Sequence, residues 1–288
     1  MSVRVFAPAK VNLTLKVGRA REDGRHPLQS VVMFADVGDV VEASEGEGLT
    51  LSVHGEFADG LSKGEDNLVL RAARALADAE GAKPNAALSL EKNLPIASGV
   101  GGGSSDAAAA LRALNQLWGL DLPAARLAEI ARPLGADVPV CVAAQTAFMS
   151  GTGETFRRMT ALPFAAVLVN PLIPLPTINV YRQFDRMQLG ADLRDGEPLL
   201  WSHPDSALKD IAVLGNDLEP AARALLPELD DIAALMRADA RVLHAGLSGS
   251  GATMFGLVKD MDVAADLAEA WQRAHPDWWI ADAMLGAT

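Results

Sequence analysis

Leu94-Pro95-Ile96-Ala97-Ser98-Gly99-Val100-Gly101-Gly102-Gly103-Ser104-Ser105-Asp106 is the stretch on which the reading of this chain turns. It holds four glycines and three serines. Upstream, Ala86–Leu90 alternates as a half-buried strand does. Downstream, Ser104, Ser105 and Asp106 suit the first turn of a helix. Leu111, Leu114, Leu117 and Trp118 then recur at helical spacing, and Gly119 supplies a stop. A glycine loop between a strand and a helix lets main-chain N–H groups approach an anion with no Cβ in the way. The helix adds its unpaired N–H groups and the positive end of its dipole. The stretch therefore predicts a cradle for nucleotide phosphates. It is not a P-loop, because no lysine follows the glycines, and it is not the dinucleotide motif, because Ser104 stands where the third glycine belongs. The competing reading is a flexible connector, which seldom leads straight into a capped helix.

The rest of the composition narrows the class. At 288 residues, half of them hydrophobic, the chain can bury a sizeable core in one large domain or two modest ones. The formal net charge of −12 opposes nucleic acid, and no run of Lys and Arg offsets it; Arg19, Arg21 and Arg25 are interrupted by Glu22 and Asp23. One cysteine, Cys141, excludes an internal disulfide and a Cys-rich metal site. Its flanking valines point to burial as a small hydrophobe. No apolar run reaches the ~20 residues needed to span a bilayer, and the first residues lack a signal-peptide pattern, so no membrane association and a cytoplasmic location are expected.

Patterning along the chain predicts strands at Val3–Phe6 and Val11–Val17 around a bend at Pro8–Lys10, then at Val31–Phe34, Val40–Ala43 and Leu49–Val53. Helices are predicted at Asn67–Glu80, from about Pro123 to Leu134, over Pro220–Ala238 and over Val263–Ala274. Ala165–Val169, Arg241–Ala245 and Thr253–Val258 read as strands, Pro171–Pro176 as an extended loop, and Leu189–Pro204 as a flexible surface segment. The mixture lacks regular β-α-β repetition, which predicts an α+β protein of two domains meeting near residues 150–165.

The glycine-rich stretch resembles the second motif of the GHMP kinase superfamily, whose members phosphorylate small metabolites. Pro8-Ala9-Lys10-Val11-Asn12-Leu13 resembles the first motif, and Leu247-Ser248-Gly249-Ser250-Gly251-Ala252-Thr253 the third. Three motifs in order across nearly the whole chain are far more specific than any one. Asp23-Gly24-Arg25-His26-Pro27-Leu28-Gln29, Leu134–Val140, Gly151-Thr152-Gly153-Glu154 and Asn216-Asp217-Leu218-Glu219-Pro220 resemble the branch whose substrate is a cytidine-diphosphate-linked polyol. The resemblance implies an N-terminal domain (1–155) of ribosomal-protein-like α/β fold and a C-terminal domain (156–288) of ferredoxin-like α+β fold. It also implies ATP as phosphate donor, with Mg²⁺ required by ATP chemistry. Ser104, Ser105, Asp106 and Glu154 are the residues able to approach that ion, its ligands being left open.

The resemblance assigns roles residue by residue. Pro95, Ile96, Ala97, Ser98, Gly99, Val100, Gly101, Gly102, Gly103, Ser104 and Ser105 bind ATP. Asp137 takes the base position, and Lys10 is its natural partner, since a Lys–Asp pair keeps the carboxylate ionised and holds an ammonium at the transferring phosphate. Taken singly, Asp137 also reads as a capping carboxylate and Lys10 as a surface lysine. His26 is expected to bond the cytosine, where a lone His in a polar loop is otherwise a solvated turn residue. Arg25 stands where the branch has a base-stacking Tyr; a guanidinium plane can also stack on a base. Asn12, on the polar side of its predicted strand, is expected to face substrate. Thr177 and Tyr181 resemble further substrate positions, although Tyr181, the one tyrosine, also reads as a packing residue with a wet hydroxyl. Two other classes compete: a GHMP kinase with a different alcohol substrate, and a non-catalytic nucleotide- or RNA-binding module, which fold alone cannot separate.

Overall fold

A computed structural model describes residues 2–160, 162–193 and 196–286. Its elements run β1 (Ser2–Asn12), β2 (Lys16–Val17), β3 (Leu28–Ser44), β4 (Leu49–His54), α1 (Leu68–Glu80), β5 (Ala86–Glu91), α2 (Gly102–Leu117), α3 (Ala124–Ala131), α4 (Val138–Ala143), β6 (Ala147–Ser150), β7 (Thr155–Arg158) and β8 (Phe164–Asn170). They continue with α5 (Thr177–Arg186), α6 (Pro204–Leu214), α7 (Glu219–Leu225), α8 (Glu228–Ala238), β9 (Val242–Leu247), β10 (Met254–Val258), α9 (Met261–Ala274) and β11 (Trp279–Leu285). Two compact units emerge, each assembled from separated pieces of chain.

The first unit comprises the chain up to Ala9, Gly38–Ile96 and Gly101–Ala144. In it β4 lies parallel to β5, and β5 pairs antiparallel with the end of β3, Val40 opposite Glu91. Helix α1 starts where Asn67 accepts a hydrogen bond from the Val69 amide, and it stops at Gly81 in the left-handed region. Helix α2 packs against both α1 and α4. Its run Ala107–Ala110 is wholly buried, together with Leu111 and Leu114. Small side chains on several faces let neighbouring helices approach it from more than one side, so α2 is held as a rigid central rod.

The second unit comprises Lys10–Val37, Ala97–Val100 and the chain from Gln145. Its central strand β8 is buried along its whole length. It pairs antiparallel with β11 on one side and β10 on the other, and β10 pairs in turn with β9. Burial on both faces explains why β8 reads as a continuous apolar run and not as an alternation. Helices α5, α7, α8 and α9 contribute Val180, Phe184, Ala222, Leu229, Ile232 and Leu267 to one core with these strands.

Several expectations are corrected. β1 is one strand through Pro8, and β3 is one 17-residue strand where two short ones were expected. The predicted strand Val11–Val17 breaks after Asn12, and the alternation there does not report one buried face, because Val11 to Leu15 are all buried. One main-chain bond persists, from the Leu13 amide to Val31 O, and side-chain bonds supplement it: Ser30 Oγ donates to the Thr14 carbonyl and the Val31 amide to Thr14 Oγ1. The predicted helix Pro220–Ala238 is two, α7 and α8, broken at Pro227, which lacks the N–H a continuous helix needs. The predicted helix to Leu134 ends in a short 3₁₀ turn, Arg132–Leu134. Helices α5 and α6 and strands β7 and β11 were not legible. Of the segment 189–204, residues 194 and 195 lie outside the described residues; its described part is anchored, with Ala191 O accepting from the Arg19 amide and Trp201 buried.

Candidate active site

Helix α2 begins two residues earlier than Ser104 suggests. Gly101 is its N-cap, at φ 65°, and Gly102 and Gly103 form the first turn. The leading N–H groups of α2 are therefore presented by glycines, and no side-chain oxygen caps them. An apolar cavity of about 190 Å³ adjoins this end, lined by Leu61, Asn67, Leu68, Val69, Leu90, Gly103 and Asp106 among others. Ser105, expected to bind ATP, turns inward: its hydroxyl donates to the Pro8 carbonyl at 2.7 Å and its amide to Gly101 O at 2.9 Å. Its contribution here is to tie α2 to β1. Cys141 is buried, as expected, 3.5 Å from that hydroxyl.

Beneath the same turn lies a group that sequence reasoning missed. Lys92 Nζ is bonded to Asp39 Oδ2 and, at 3.1 Å, to Asp106 Oδ2, and all three side chains are almost wholly buried. Asp39 Oδ1 also accepts from the Asn93 and Leu94 amides at 2.6 and 2.8 Å. Asp106 Oδ1 is buried without a hydrogen-bond partner. Burial, and then the nearby Asp39 charge, push the Asp106 carboxyl up to about 8 against the pull of Lys92. Burial opposes the Lys92 charge, but the two carboxylates outweigh it and raise its pKa. Near neutral pH Asp106 thus holds its proton beside the Lys92 ammonium.

In the second unit the first and third glycine motifs meet the loop. Lys10 is buried; its amide donates to Val100 O at 2.8 Å and its Nζ to Asn12 Oδ1 at 2.9 Å. The Asn12 amide donates to Ser248 Oγ at 3.1 Å, and that hydroxyl donates to Gly99 O at 2.9 Å. The Thr253 amide donates to Ser98 O at 2.9 Å. Gly99 is irreplaceable here: at φ 80°, a Cβ would sit 2.5 Å from Ser248 O and 2.6 Å from Gly251 O. Asn216 Nδ2 donates to both Leu247 O and Gly249 O, fixing the third motif's turn. Asp217 bonds Lys16 and the Val17 amide. Asn12 was expected to face substrate from the polar side of its strand. It is buried, and both ends of its amide are engaged, with Nδ2 donating to Ser30 Oγ at 2.7 Å.

The structure also joins residues that the sequence could only name separately. His26 is buried, its Nδ1 donates to Gly18 O at 2.9 Å, and Asp185 Oδ2 stands 3.5 Å from its Nε2. The Tyr181 ring lies 5.0 Å from the imidazole and that of Phe184 5.8 Å, edge-on. His26 is therefore an ordered residue, held by helix α5. Thr177, the first residue of α5, shares a 2.8 Å hydrogen bond with Ser250 of the third motif. Arg25 is exposed, its amide tied to Asp23. Asp137 stands at the N-cap position of α4, half-buried, yet its side chain does not cap that helix. Of the residues considered near Mg²⁺, Glu154 is engaged by Thr152 and Asp106 by Lys92. Among the described residues no three His, Cys, Asp or Glu side chains form a metal cluster, and no helix is long and apolar enough to cross a membrane.

Ser30, Ser248, Asn216 and the Lys92 trio carried no signal that composition or periodicity could detect. Ser248 and Asn216 lie within quoted motifs, but their tasks are visible only through partners distant in sequence.

A glycine-led start to α2, a buried lysine in β1 and a third glycine turn each fit the class of small-molecule kinases. Residues 67–145 match the GHMP kinases N terminal domain and residues 202–277 the GHMP kinases C terminal. A 4-diphosphocytidyl-2-C-methyl-D-erythritol kinase of Parvibaculum lavamentivorans is 48% identical over 275 residues, 95% of each chain. One of Paramagnetospirillum magneticum is 45% identical over 285 residues, 99% of each. A crystal structure of 4-(cytidine 5'-diphospho)-2C-methyl-D-erythritol kinase superposes with a TM-score of 0.78 at 34% identity, covering 99% of this chain and 100% of that one. Homoserine kinase from Cytophaga hutchinsonii shares the fold, with a TM-score of 0.73 at 19% identity over 98% and 94% of the two chains. This chain belongs to the 4-diphosphocytidyl-2-C-methyl-D-erythritol kinase family of the GHMP kinases.

Proposed function

We propose that the protein transfers the γ-phosphoryl group of ATP to the 2-hydroxyl of 4-diphosphocytidyl-2-C-methyl-D-erythritol, releasing ADP and the 2-phosphate, as a step in making isoprenoid precursors. The substrate follows from what the relatives are named for. The observation that carries the chemistry is the attachment of Lys10 to the glycine-rich loop, through its amide to Val100 and through Asn12 and Ser248 to Gly99.

In this reading the start of α2 receives the phosphates on main-chain N–H groups from Gly101 to Ser104. The rest of the stretch, Pro95 to Val100 and Ser105, shapes and anchors the loop. The apolar cavity beside Gly103 takes the nucleobase. Asp137 accepts the proton of the 2-hydroxyl as its oxygen bonds to the γ-phosphorus and the bond to ADP breaks. Lys10 offsets the charge spread over the transferring oxygens. Mg²⁺ would arrive with the nucleotide, and Ser104, half-buried in the first turn of α2, is the side chain that would help hold it. When bound, the ion neutralises phosphate charge. His26, ordered by Gly18 O and Tyr181, contacts the cytosine, Arg25 offers a stacking face, and Thr177 and Asn12 line the polyol side. We place the halves of the kinase at 1–155 and 156–288, and the reaction in the cytoplasm.

The test is a substrate panel with Mg-ATP, followed by ADP release and by phosphorus NMR of the product. Turnover of the diphosphocytidyl substrate alone is the expected result. Turnover of mevalonate or homoserine in its place would overturn the substrate, and ATP binding without ADP release would overturn the kinase reading.

A further inference from the structure

Ser30 lies on β3, wholly buried, 18 residues from its partner Asn12. We infer that Ser30 is a positioning residue for phosphoryl transfer, whose hydroxyl anchors the far end of the Asn12 amide so that the near end is held on Lys10. The inference rests on the kinase reading proposed above.

The argument is one of donor and acceptor counting. A hydroxyl has one proton. That of Ser30 goes to the Thr14 carbonyl at 2.6 Å, because a carbonyl can only accept. Towards Asn12, 2.7 Å away, Ser30 Oγ therefore has only a lone pair to offer, and the amide must present its NH₂ there. The other end of the amide, Oδ1, is then directed to Lys10 Nζ at 2.9 Å, where an ammonium can only donate. Both ends demand the same orientation. The reversed amide would set two donors against each other at Lys10 and two acceptors against each other at Ser30.

The main chain cannot relax this choice. The Asn12 amide is held by Ser248 Oγ, the Lys10 amide donates to Val100 O, and the Val31 amide, next to Ser30, donates to Thr14 Oγ1. Only rotation of the Asn12 carboxamide about its last torsion remains, and Ser30 and Lys10 oppose it from its two ends. With Asn12, Ser30 and Thr14 all buried, a group left unmatched has no ready access to solvent. Removing the Ser30 hydroxyl thus takes away one of the two bonds that orient the amide and loosens the acceptor that Lys10 meets. Small misplacement of a group that must meet the transferring phosphoryl is costly in rate and not in nucleotide affinity.

The test compares Ser30→Thr with Ser30→Val in the full chain. These two side chains share a shape and differ in the hydroxyl, so any packing cost common to both cancels. Ser30→Thr should keep kcat within about threefold of the unaltered protein. Ser30→Val and Ser30→Ala should lose roughly 10–10²-fold in kcat, with ATP KM within about twofold. Equal kcat in the Thr and Val variants would overturn the inference, as would an undiminished kcat in Ser30→Ala. So would a loss confined to KM. Failure of the kinase reading shows separately, as absence of turnover by the unaltered chain, and overturns both.

Discussion

Asp137 and Lys10 ask different things of their surroundings. Lys10 is buried and is held by main-chain and side-chain bonds, so its position is set by the fold. Asp137 is half-buried at the start of α4 without capping it, so its carboxyl is not required for that helix to begin. Asp137→Asn should lower kcat by roughly 10²–10⁴-fold while ATP affinity stays close to that of the unaltered protein, with thermal unfolding reporting any share of the loss that belongs to stability. Steady-state kinetics, equilibrium nucleotide binding and thermal unfolding check the three parts. A near-normal kcat would remove Asp137 from the base role. His26 illustrates the opposite case. Its ring is fixed by Gly18 O, Tyr181 and Phe184, so replacing it would disturb packing as well as recognition.

Within the elements, the first turn of α2 carries the most specific claim. Its glycines are not equivalent. A Cβ on Gly102 would meet Lys92 Nζ at 2.9 Å, so a substitution there disturbs the buried trio as well as any ligand. Gly103 is exposed, and its nearest neighbour would be Leu68 Cδ1 at 3.6 Å, an ordinary contact. Alanine at an accommodating helical position stabilises by roughly 0.5–1 kcal/mol relative to glycine. Gly103→Ala should therefore raise stability by about that amount in urea unfolding while weakening ATP binding, because the added methyl stands beside the approach to the helix N–H groups and the cavity. Stability and affinity moving in opposite directions would locate the phosphate cradle. An unchanged nucleotide Kd would count against it.

For the whole molecule, the buried trio sets a pH dependence. The folded protein holds a proton on Asp106 up to about pH 8, whereas an unfolded chain releases it near the ordinary aspartate value of 3.8. Between those values the folded state binds more protons than the unfolded one, so stability falls as pH rises, and the loss is complete above the folded value. Unfolding temperatures from pH 5 to 9.5 should decline through this window. Asp106→Asn, which keeps a neutral group beside Lys92, should flatten the profile and unfold at the higher temperature at pH 9. A wild-type profile already flat, or one unaltered by the substitution, would contradict the assignment. The acidic surplus of the chain, −12, adds general repulsion in the same alkaline direction, and the substitution isolates the part that belongs to Asp106.

The sequence by itself determined that a glycine loop leads from a strand into helix α2, because glycine conformation and helical periodicity are local. It also determined α1, from Asn67 to Gly81, since caps and 3.6-residue periodicity act within a few residues. Family membership was legible for the same reason: the motifs are short and contiguous. It did not determine that Val11–Leu15 is buried throughout, that Ser105 turns to Pro8, or that α5 brings Tyr181 onto His26. Those facts were decided by tertiary structure, as were Ser30 beside Asn12, Ser248 beside Gly99, and Asp39 with Asp106 around Lys92. The physical reason is common to them. A buried polar group must find a partner, and nothing in its local pattern says how far along the chain that partner lies. For Asn12 the answers are 18 and 236 residues away.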